Sequence, residues 1–199
     1  MSDVLAIDLE TKNYAHEIGG WGNTHMFLVS TVCTWDGDKG TIYIDKQVDD
    51  SISKSNVTVK PISELKFDLD DHFEKGGKLL GHNIVAFDLP VLKNALDIYC
   101  IGKYLDNKSY IDTSHYLTKE FGERYSLSNL VQHTLGSDKL MTSEEAPLVW
   151  KAGEYTKVAE YCLSDCQLVY DLWAHGRQNK LIKGFSMQNE EQLELEVNW

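Results

Sequence analysis

The apolar and polar positions of the chain repeat with two different periods, which together predict a layered α/β fold. The apolar run Val4–Ile7 continues into Asp8-Leu9-Glu10 without a turn residue, so we expect a buried strand that ends in two acids. The β-prone segments 26–35 and 41–44 are separated by a turn rich in Gly and Asp. They predict a hairpin that extends the first strand into a three-stranded antiparallel meander.

The rest of the chain alternates between helical and strand-like patterns. Helices that end at glycines or polar turns are predicted over residues 62–75, 87–96, 113–120, 127–134 and 155–175, and short strands over 78–83 and 110–112. This order predicts a mixed central sheet, with an antiparallel meander followed by parallel strands, flanked by helices. The stretch 47–61 is expected to be irregular around a β-prone 57–59, and 137–153 to be mixed and interrupted by proline.

The domain organisation follows from length and from the C-terminal charge pattern. A chain of 199 residues is long enough to bury a central sheet, so we expect one domain over residues 1–184. Residues 185–199 are acidic and are predicted to form a mobile tail, although the alternation over 193–197 is compatible with an added edge strand.

Two acidic motifs at opposite ends of the chain point to the same kind of site. Side chains alternate along a strand, so Asp8 and Glu10 lie on one face and could share one hard cation; two solvated acids at the end of an edge strand are the alternative. Asp165 falls within the apolar stripe of the last predicted helix, where a carboxylate is costly unless it is paired or bound to metal. Tyr161 precedes it by one helical turn and points the same way.

A third acid, Asp88, follows the predicted strand 78–83 at the start of a helix. A carboxylate in that position could be an ordinary N-terminal helix cap, favoured by the helix dipole. Taken alone, Asp88 therefore does not distinguish a cap from a member of a metal site.

The composition of the chain predicts its cellular location and partly disfavours a nucleic-acid partner. No run approaches the roughly 18 apolar residues of a membrane span, and we expect no signal peptide and no membrane partner. The four cysteines show no C-x-x-C spacing, so we predict an intracellular, reducing, cytoplasmic location. The net charge of −12 disfavours nonspecific attraction to phosphates, although divalent cations bound by acids would offset part of it.

Three motifs carry a resemblance to a known family. They are Asp8-x-Glu10, Asn83-x-x-x-Phe87-Asp88 and Tyr161-x-x-x-Asp165, in this order along the chain. The chain resembles the DnaQ-like 3′-to-5′ exonucleases of the DEDD superfamily, which have a ribonuclease H-like fold. Where the histidine variant of the family carries its histidine, this chain has Glu160, and Tyr161 takes the tyrosine position. The chain is therefore similar to the DEDDy branch, which includes the proofreading domains of DNA polymerases.

The resemblance implies a metal-dependent hydrolase that shortens the 3′ end of single-stranded nucleic acid, with DNA favoured over RNA. It implies two Mg²⁺ or Mn²⁺ ions: one held by Asp8, Glu10 and Asp165 and carrying the attacking water, the other between Asp8 and the scissile phosphate, with Asp88 holding the pair directly or through water. A phenol is a poor general base at neutral pH, so Tyr161 is expected to orient the water. A polymerase or another replication or repair protein, acting in trans, is the implied protein partner.

Residues beside the acids are candidates for substrate binding. Leu9, Thr11 and Phe87 could position the terminal nucleotide, although Leu9 and Phe87 fit a core role equally well. His82 and Asn83 could contact the substrate or could fix the loop in which they lie.

Trp21 lies in a glycine-rich loop beside the first motif, where it could stack on a base or simply anchor the loop.

Two other functions remain open at this point. One is a noncatalytic nucleic-acid or protein binding module on the same fold, which the acidic composition favours, and the other is a structure-specific endonuclease.

Overall fold

Six strands form a mixed central sheet in the computed structural model, which describes residues 3–49, 52 and 56–199. The strands are β1 (Val4–Thr11), β2 (Val29–Trp35), β3 (Gly40–Ile44), β4 (Val57–Lys60), β5 (Lys78–Gly81) and β6 (Tyr110–Asp112). Their order across the sheet is β4-β3-β2-β1-β5-β6. The first three strands form an antiparallel meander, and the pairs β3–β4, β1–β5 and β5–β6 are parallel. The acid-bearing strand β1 therefore lies inside the sheet.

Helices cover both faces of this sheet. They are α1 (Leu65–Glu74), α2 (Asp88–Ala95), α3 (Cys100–Asp106), α4 (Thr113–Phe121), α5 (Leu127–Leu135), α6 (Ala146–Lys151) and α7 (Tyr155–Asn179). The alternation along β1 separates two hydrophobic clusters: Ala6 packs in the cluster that contains α7, and Ile7 and Leu9 pack in the cluster that contains α1 to α3. Asp8 and Glu10 share the face of Ala6, so they face α7.

The predicted meander and the predicted mixed sheet with flanking helices are confirmed. The helices predicted from apolar spacing form as α1, α2, α4, α5 and α7, and the two predicted short strands form as β5 and β6. No helix in the described part of the chain has both the length and the apolar character needed to cross a bilayer.

Three elements differ from the prediction. The β-prone segment 57–59 joins the sheet as β4, parallel to β3; residues 50–51 and 53–55 of the predicted irregular stretch lie outside the described residues. Helix α3 was not predicted, because it has only two turns and contains Gly102. Helix α6 was not predicted either, because Pro147 reads as an interruption, whereas it lies in the first turn, where a helix tolerates proline.

The C-terminal prediction of a mobile tail from residue 185 was wrong. Strands β7 (Leu181–Ser186) and β8 (Glu191–Glu196) form an antiparallel hairpin, so the predicted boundary at 184 falls inside β7. The hairpin packs on α5, where the Thr134 hydroxyl donates to the Lys183 carbonyl and accepts from its N–H. Ile182 and Leu195 are buried in the main core. The predicted edge strand therefore forms, but it pairs with β7 and not with the central sheet.

Strand β5 ends at a glycine that lies close to the backbone of the neighbouring strand β1. A Cβ atom added at Gly81 would lie 2.1 Å from Cγ2 of Ile84 and 3.0 Å from the main-chain oxygen of Ile7 on β1. The strand oxygen cannot move without distorting the sheet, so this position excludes larger residues. The loop that follows Gly81 leads to Asp88, and this close approach therefore helps to fix that acid.

We predict that Gly81→Ala lowers the free energy of unfolding by about 1–3 kcal/mol, because the added methyl group overpacks the contact between β5 and β1. Urea unfolding followed by circular dichroism measures this change. Gly102→Ala is the matched control: its nearest neighbouring atom is 3.9 Å away, within a helix, so alanine should be neutral or stabilising. Equal stability of the Gly81→Ala variant and the wild type would contradict the packing argument.

Candidate metal centre

Three carboxylates from opposite ends of the chain meet where β1 faces α7. Oxygen atoms of Asp8, Glu10 and Asp165 all lie within 4.8 Å of one another. Glu10 and Asp165 are buried, with 7% and 4% of their surface exposed, and Asp8 is partly exposed. The two acids predicted to share a face of the first strand and the acid predicted on the buried face of the last helix therefore lie in one cluster.

Small side chains let α7 approach the strands closely enough to bring these acids together. The thiol of Cys162 donates to the main-chain oxygen of Asp8 at 3.4 Å. The thiol of Cys166 donates to the oxygen of Cys33 on β2 at 3.2 Å, and Cys33 in turn donates to Ala159 at 3.7 Å. These bonds join the helix directly to the strand backbones, so the position of Asp165 relative to β1 is fixed by main-chain contacts.

Asp88 stands beside this group, at the first residue of α2. Its carboxylate is buried, and Oδ1 accepts a hydrogen bond from the N–H of Leu9 at 3.2 Å. This bond reaches β1 at the residue between Asp8 and Glu10. Asp88 therefore joins α2 to the acid-bearing strand, which a carboxylate that only capped its own helix would not do.

Burial disfavours the charged forms of all four carboxyl groups, and neighbouring negative charges add to this effect at Asp8, Glu10 and Asp88. Burial, followed by the negative charge of Asp165, raises the pKa of Asp8 to about 8. Burial raises the pKa of Glu10 and that of Asp88 well above their usual values, and Asp8 adds to both effects. The pKa of Asp165 is also raised by burial, and Lys139 opposes this rise.

The cluster has the chemistry of a divalent cation site. Oδ2 of Asp8 and Oδ1 of Asp165 are buried and have no hydrogen-bond partner among the described residues. Unpaired buried oxygens cost folding free energy unless a cation compensates them. Because every donor is a carboxylate oxygen, the set suits Mg²⁺ or Mn²⁺ better than zinc.

Lys139 enters this cluster and was not identified from the sequence. Its Nζ lies 2.5 Å from Oδ2 of Asp165, and the two side chains are only 14% and 5% exposed. The same ammonium group stands 5.1 Å from the ring centre of Tyr161. The residue lies in an irregular segment between α5 and α6, where no apolar period or motif marks a lysine as buried.

Tyr161 lies on the buried face of α7, next to Asp165. It is 1% exposed, and its hydroxyl lies 3.3 Å from Oγ of Ser143. Burial, reinforced by the charge of Asp165, raises the pKa of the phenol above its ordinary value. The hydroxyl therefore keeps its proton at neutral pH and can act as a hydrogen-bond donor.

The candidate substrate-binding residues occupy different environments. Leu9 is buried in the cluster on the opposite face of the sheet from the acids, so its side chain has a core role. The Thr11 hydroxyl donates to the oxygen of Asn13 and holds the start of the following loop. Phe87 is half-buried next to Asp88, where its ring contacts the exposed Trp21.

His82 and Asn83 fix the loop between β5 and α2. Nε2 of His82 lies 2.9 Å from the carbonyl oxygen of Tyr125, to which it must donate, and Nδ1 lies 2.9 Å from the hydroxyl of Thr113. Burial lowers the pKa of His82 to about 4, so the ring is neutral. The N–H of Asn83 donates to Asp112 at 2.8 Å, in a backbone conformation with φ of +71°. His82 therefore has no ring nitrogen left for substrate.

Asp112 organises this loop, although its side chain was not among the predicted site residues. Its carboxylate accepts from the N–H groups of Asn83, Val85 and His115, at 2.8, 2.9 and 3.0 Å. Because it both caps α4 and holds the chain leading into α2, it sets where α2 and its acid begin. The position of the acid at the end of a short strand, directly before a helix, was the available signal in the sequence.

Comparison of the chain with protein-family models gives no match, and comparison with curated proteins gives none either. The functional argument therefore rests on the residues of the cluster and their geometry.

Proposed function

We propose that this protein is a metal-dependent 3′-to-5′ exonuclease of the DEDDy type that acts on single-stranded nucleic acid, with DNA favoured over RNA. The observation that carries this proposal is the meeting of Asp8 and Glu10 with Asp165, with buried oxygens that lack partners among the described residues. A purely structural cluster of this kind would only lower the free energy of unfolding. A cation centre accounts for both the burial and the missing partners.

The sheet supports a ribonuclease H-like fold as part of the same proposal. An antiparallel meander is followed by parallel strands, and the acids lie on the strand where the two parts of the sheet meet. Helix α7 crosses this strand and brings the last acid to it. This is the arrangement that the resemblance of the three motifs implies.

Each acid has a separate part in holding cations. Asp8, Glu10 and Asp165 would hold one divalent ion between them, and Asp88, placed beside Asp8 by its bond to β1, would help to hold a second. When bound, Mg²⁺ or Mn²⁺ would supply a nucleophilic water at neutral pH and stabilise the departing 3′ oxygen.

Tyr161 and Lys139 assist the carboxylates by hydrogen bonding and by positive charge, and neither acts as a base. Tyr161 keeps its proton and would donate a hydrogen bond that orients the attacking water. Lys139 places a positive charge against Asp165 and so offsets part of the repulsion in the cluster.

We predict that Asp165→Asn and Asp8→Asn each reduce the release of mononucleotides from a 5′-labelled single strand by about 1,000-fold or more, because each removes a charged metal ligand. Tyr161→Phe should reduce it by only about 10- to 100-fold, since it removes one hydrogen bond. Gel analysis of products at saturating Mg²⁺ or Mn²⁺ measures these rates.

Asp171→Asn is the matched control for these variants, because it makes the same change on the exposed face of α7 and should retain activity. Products that arise from internal cleavage would contradict the exonuclease assignment. Loss in Tyr161→Phe equal to that in Asp165→Asn would contradict the orienting role of the tyrosine.

We predict that Asp8→Asn stabilises the metal-free protein, and more so at pH 8 than at pH 5. The folded-state pKa of Asp8 is raised, so stability is lost as pH rises from the ordinary carboxyl value through about 8. The melting temperature at pH 8 should rise by about 2–4 °C for each 1 kcal/mol gained. Saturating Mn²⁺ should stabilise the wild type and remove the advantage of the variant.

Exposed Asp106→Asn is the control for this measurement, because it makes the same change at the surface and should alter the melting temperature little. A melting temperature of Asp8→Asn that lies below that of the wild type at pH 8, without metal, would show that the carboxylate is stabilising and would contradict the repulsion described above.

We predict that Lys139→Met lowers the free energy of unfolding of the metal-free protein by up to about 3 kcal/mol, because it leaves Asp165 buried without its cationic partner. Mn²⁺ should restore most of the loss by supplying positive charge at the same carboxylate. Lys157→Met, which breaks an exposed ion pair with Glu154, should change stability little. A loss that Mn²⁺ leaves unchanged would mean that Lys139 acts through packing alone.

A further inference from the structure

The loop between β1 and β2 presents a large aromatic ring to solvent and packs it against Phe87, the residue before Asp88. Trp21 is 69% exposed. Phe87 packs against it edge to face, with ring centres 5.3 Å apart and planes at 80°, and the buried Phe27 lies 6.0 Å away. Phe27 and Phe87 are themselves in contact at 5.2 Å. The tryptophan is therefore supported from behind while much of its surface remains free.

Hydrogen bonds hold this loop in one conformation. The side chain of Asn13 donates to the oxygen of Met26 at 3.1 Å and accepts from the N–H of Leu28 at 2.8 Å, which closes the base of the loop. Near the tip, the side chain of Asn23 donates to the oxygen of Ile18 at 2.7 Å. Because the loop is tied at both places, little ordering is required before the ring binds a partner.

The rings of Trp21, Phe27 and Phe87 are linked to the acids through the chain at Phe87 and Asp88. Phe87 directly precedes Asp88, and Asp88 is bonded to the N–H of Leu9, between the two acids of β1. The support of the tryptophan and one of the four carboxylates are therefore adjacent in the chain. A strand that reaches the acids past the start of α2 would bring its last bases to this ring.

The charge of the protein favours a base contact over a phosphate contact. A net charge of −12 provides little general attraction for a phosphate backbone. Stacking of a base on an aromatic ring needs no positive charge and is tolerant of sequence. It does require a base that is not already stacked in a duplex, so such a contact would select single strands.

We propose that Trp21 stacks on one of the last two bases of the substrate and thereby determines the preference for single-stranded 3′ ends. This inference rests on the proposed exonuclease function and adds to it the residue that binds the base. Phe87 holds the tryptophan in place, and the acids would hold the cations that receive the phosphate. The contact contributes affinity that does not depend on salt.

The test compares two 5′-labelled strands of equal length, one with normal bases and one with abasic residues at the last two positions. Wild type should cleave the normal strand with a kcat/KM roughly 5- to 100-fold higher than the abasic strand. Trp21→Ala should lose this advantage, falling on the normal strand and changing less than about twofold on the abasic strand, whereas Trp21→Phe should keep much of it. Tyr99→Ala removes a ring that is 79% exposed elsewhere and should behave as wild type.

The same pair of strands separates this inference from the proposed function. Equal losses on both strands in Trp21→Ala would show that the tryptophan only holds the loop, and no loss on either would show that it serves another partner; both overturn the stacking role. If wild type cleaves neither strand, the exonuclease proposal fails. Fluorescence anisotropy of the Asp165→Asn variant with each labelled strand then decides the stacking role. Tighter binding of the normal strand, lost in the double variant Asp165→Asn/Trp21→Ala, supports stacking. Equal binding of the two strands overturns it.

Discussion

The repulsion among buried carboxylates at the end of β1 is the constraint on which the rest of this structure depends. Burial raises the pKa of each acid, and oxygens of Asp8 and Asp165 have no partner among the described residues. A fold that keeps such groups together must hold them by other contacts and must compensate their charge. Hydrogen bonds from cysteine thiols of α7 to the strands hold the acids together. Lys139 and the proposed cations compensate their charge.

The loops around the cluster differ in what their side chains contact. Asp112 and His82 use their polar atoms to fix the path from β5 into α2, and Asp88 then ties α2 to β1. The loop after β1 instead leaves Trp21 exposed, although hydrogen bonds fix its backbone. If the site binds a flexible single strand, as proposed, acids and a ring that are already held in place limit the conformational entropy that the protein loses on binding.

Much of this arrangement could be predicted from the sequence because its main elements have strong local patterns. The strand ending in Asp8 and Glu10 and the helix carrying Asp165 are marked by periodicity, and periodicity also predicts which way their side chains face. Helix α3 and the C-terminal hairpin were missed or misjudged, because they are stabilised by packing on distant elements and their own patterns are weak.

The polar contacts of the site were harder to predict than its acids. Lys139 lies in an irregular segment, and only the folded chain brings it to Asp165. His82 lies within a motif, yet both of its ring nitrogens bind partners more than thirty residues away in the chain, so its structural role could not be inferred locally. Leu9 shows the opposite case, since the alternation of β1 alone places it on the face away from the acids.

Anomalous diffraction from crystals grown with saturating Mn²⁺ near pH 8 tests the central claim most directly. The account predicts an anomalous peak within coordinating distance of oxygens from Asp8, Glu10 and Asp165, and its loss in the Asp165→Asn variant. Ordered carboxylates at this position without an anomalous peak, in crystals that bind Mn²⁺ elsewhere, would contradict the claim that the acids form a cation centre.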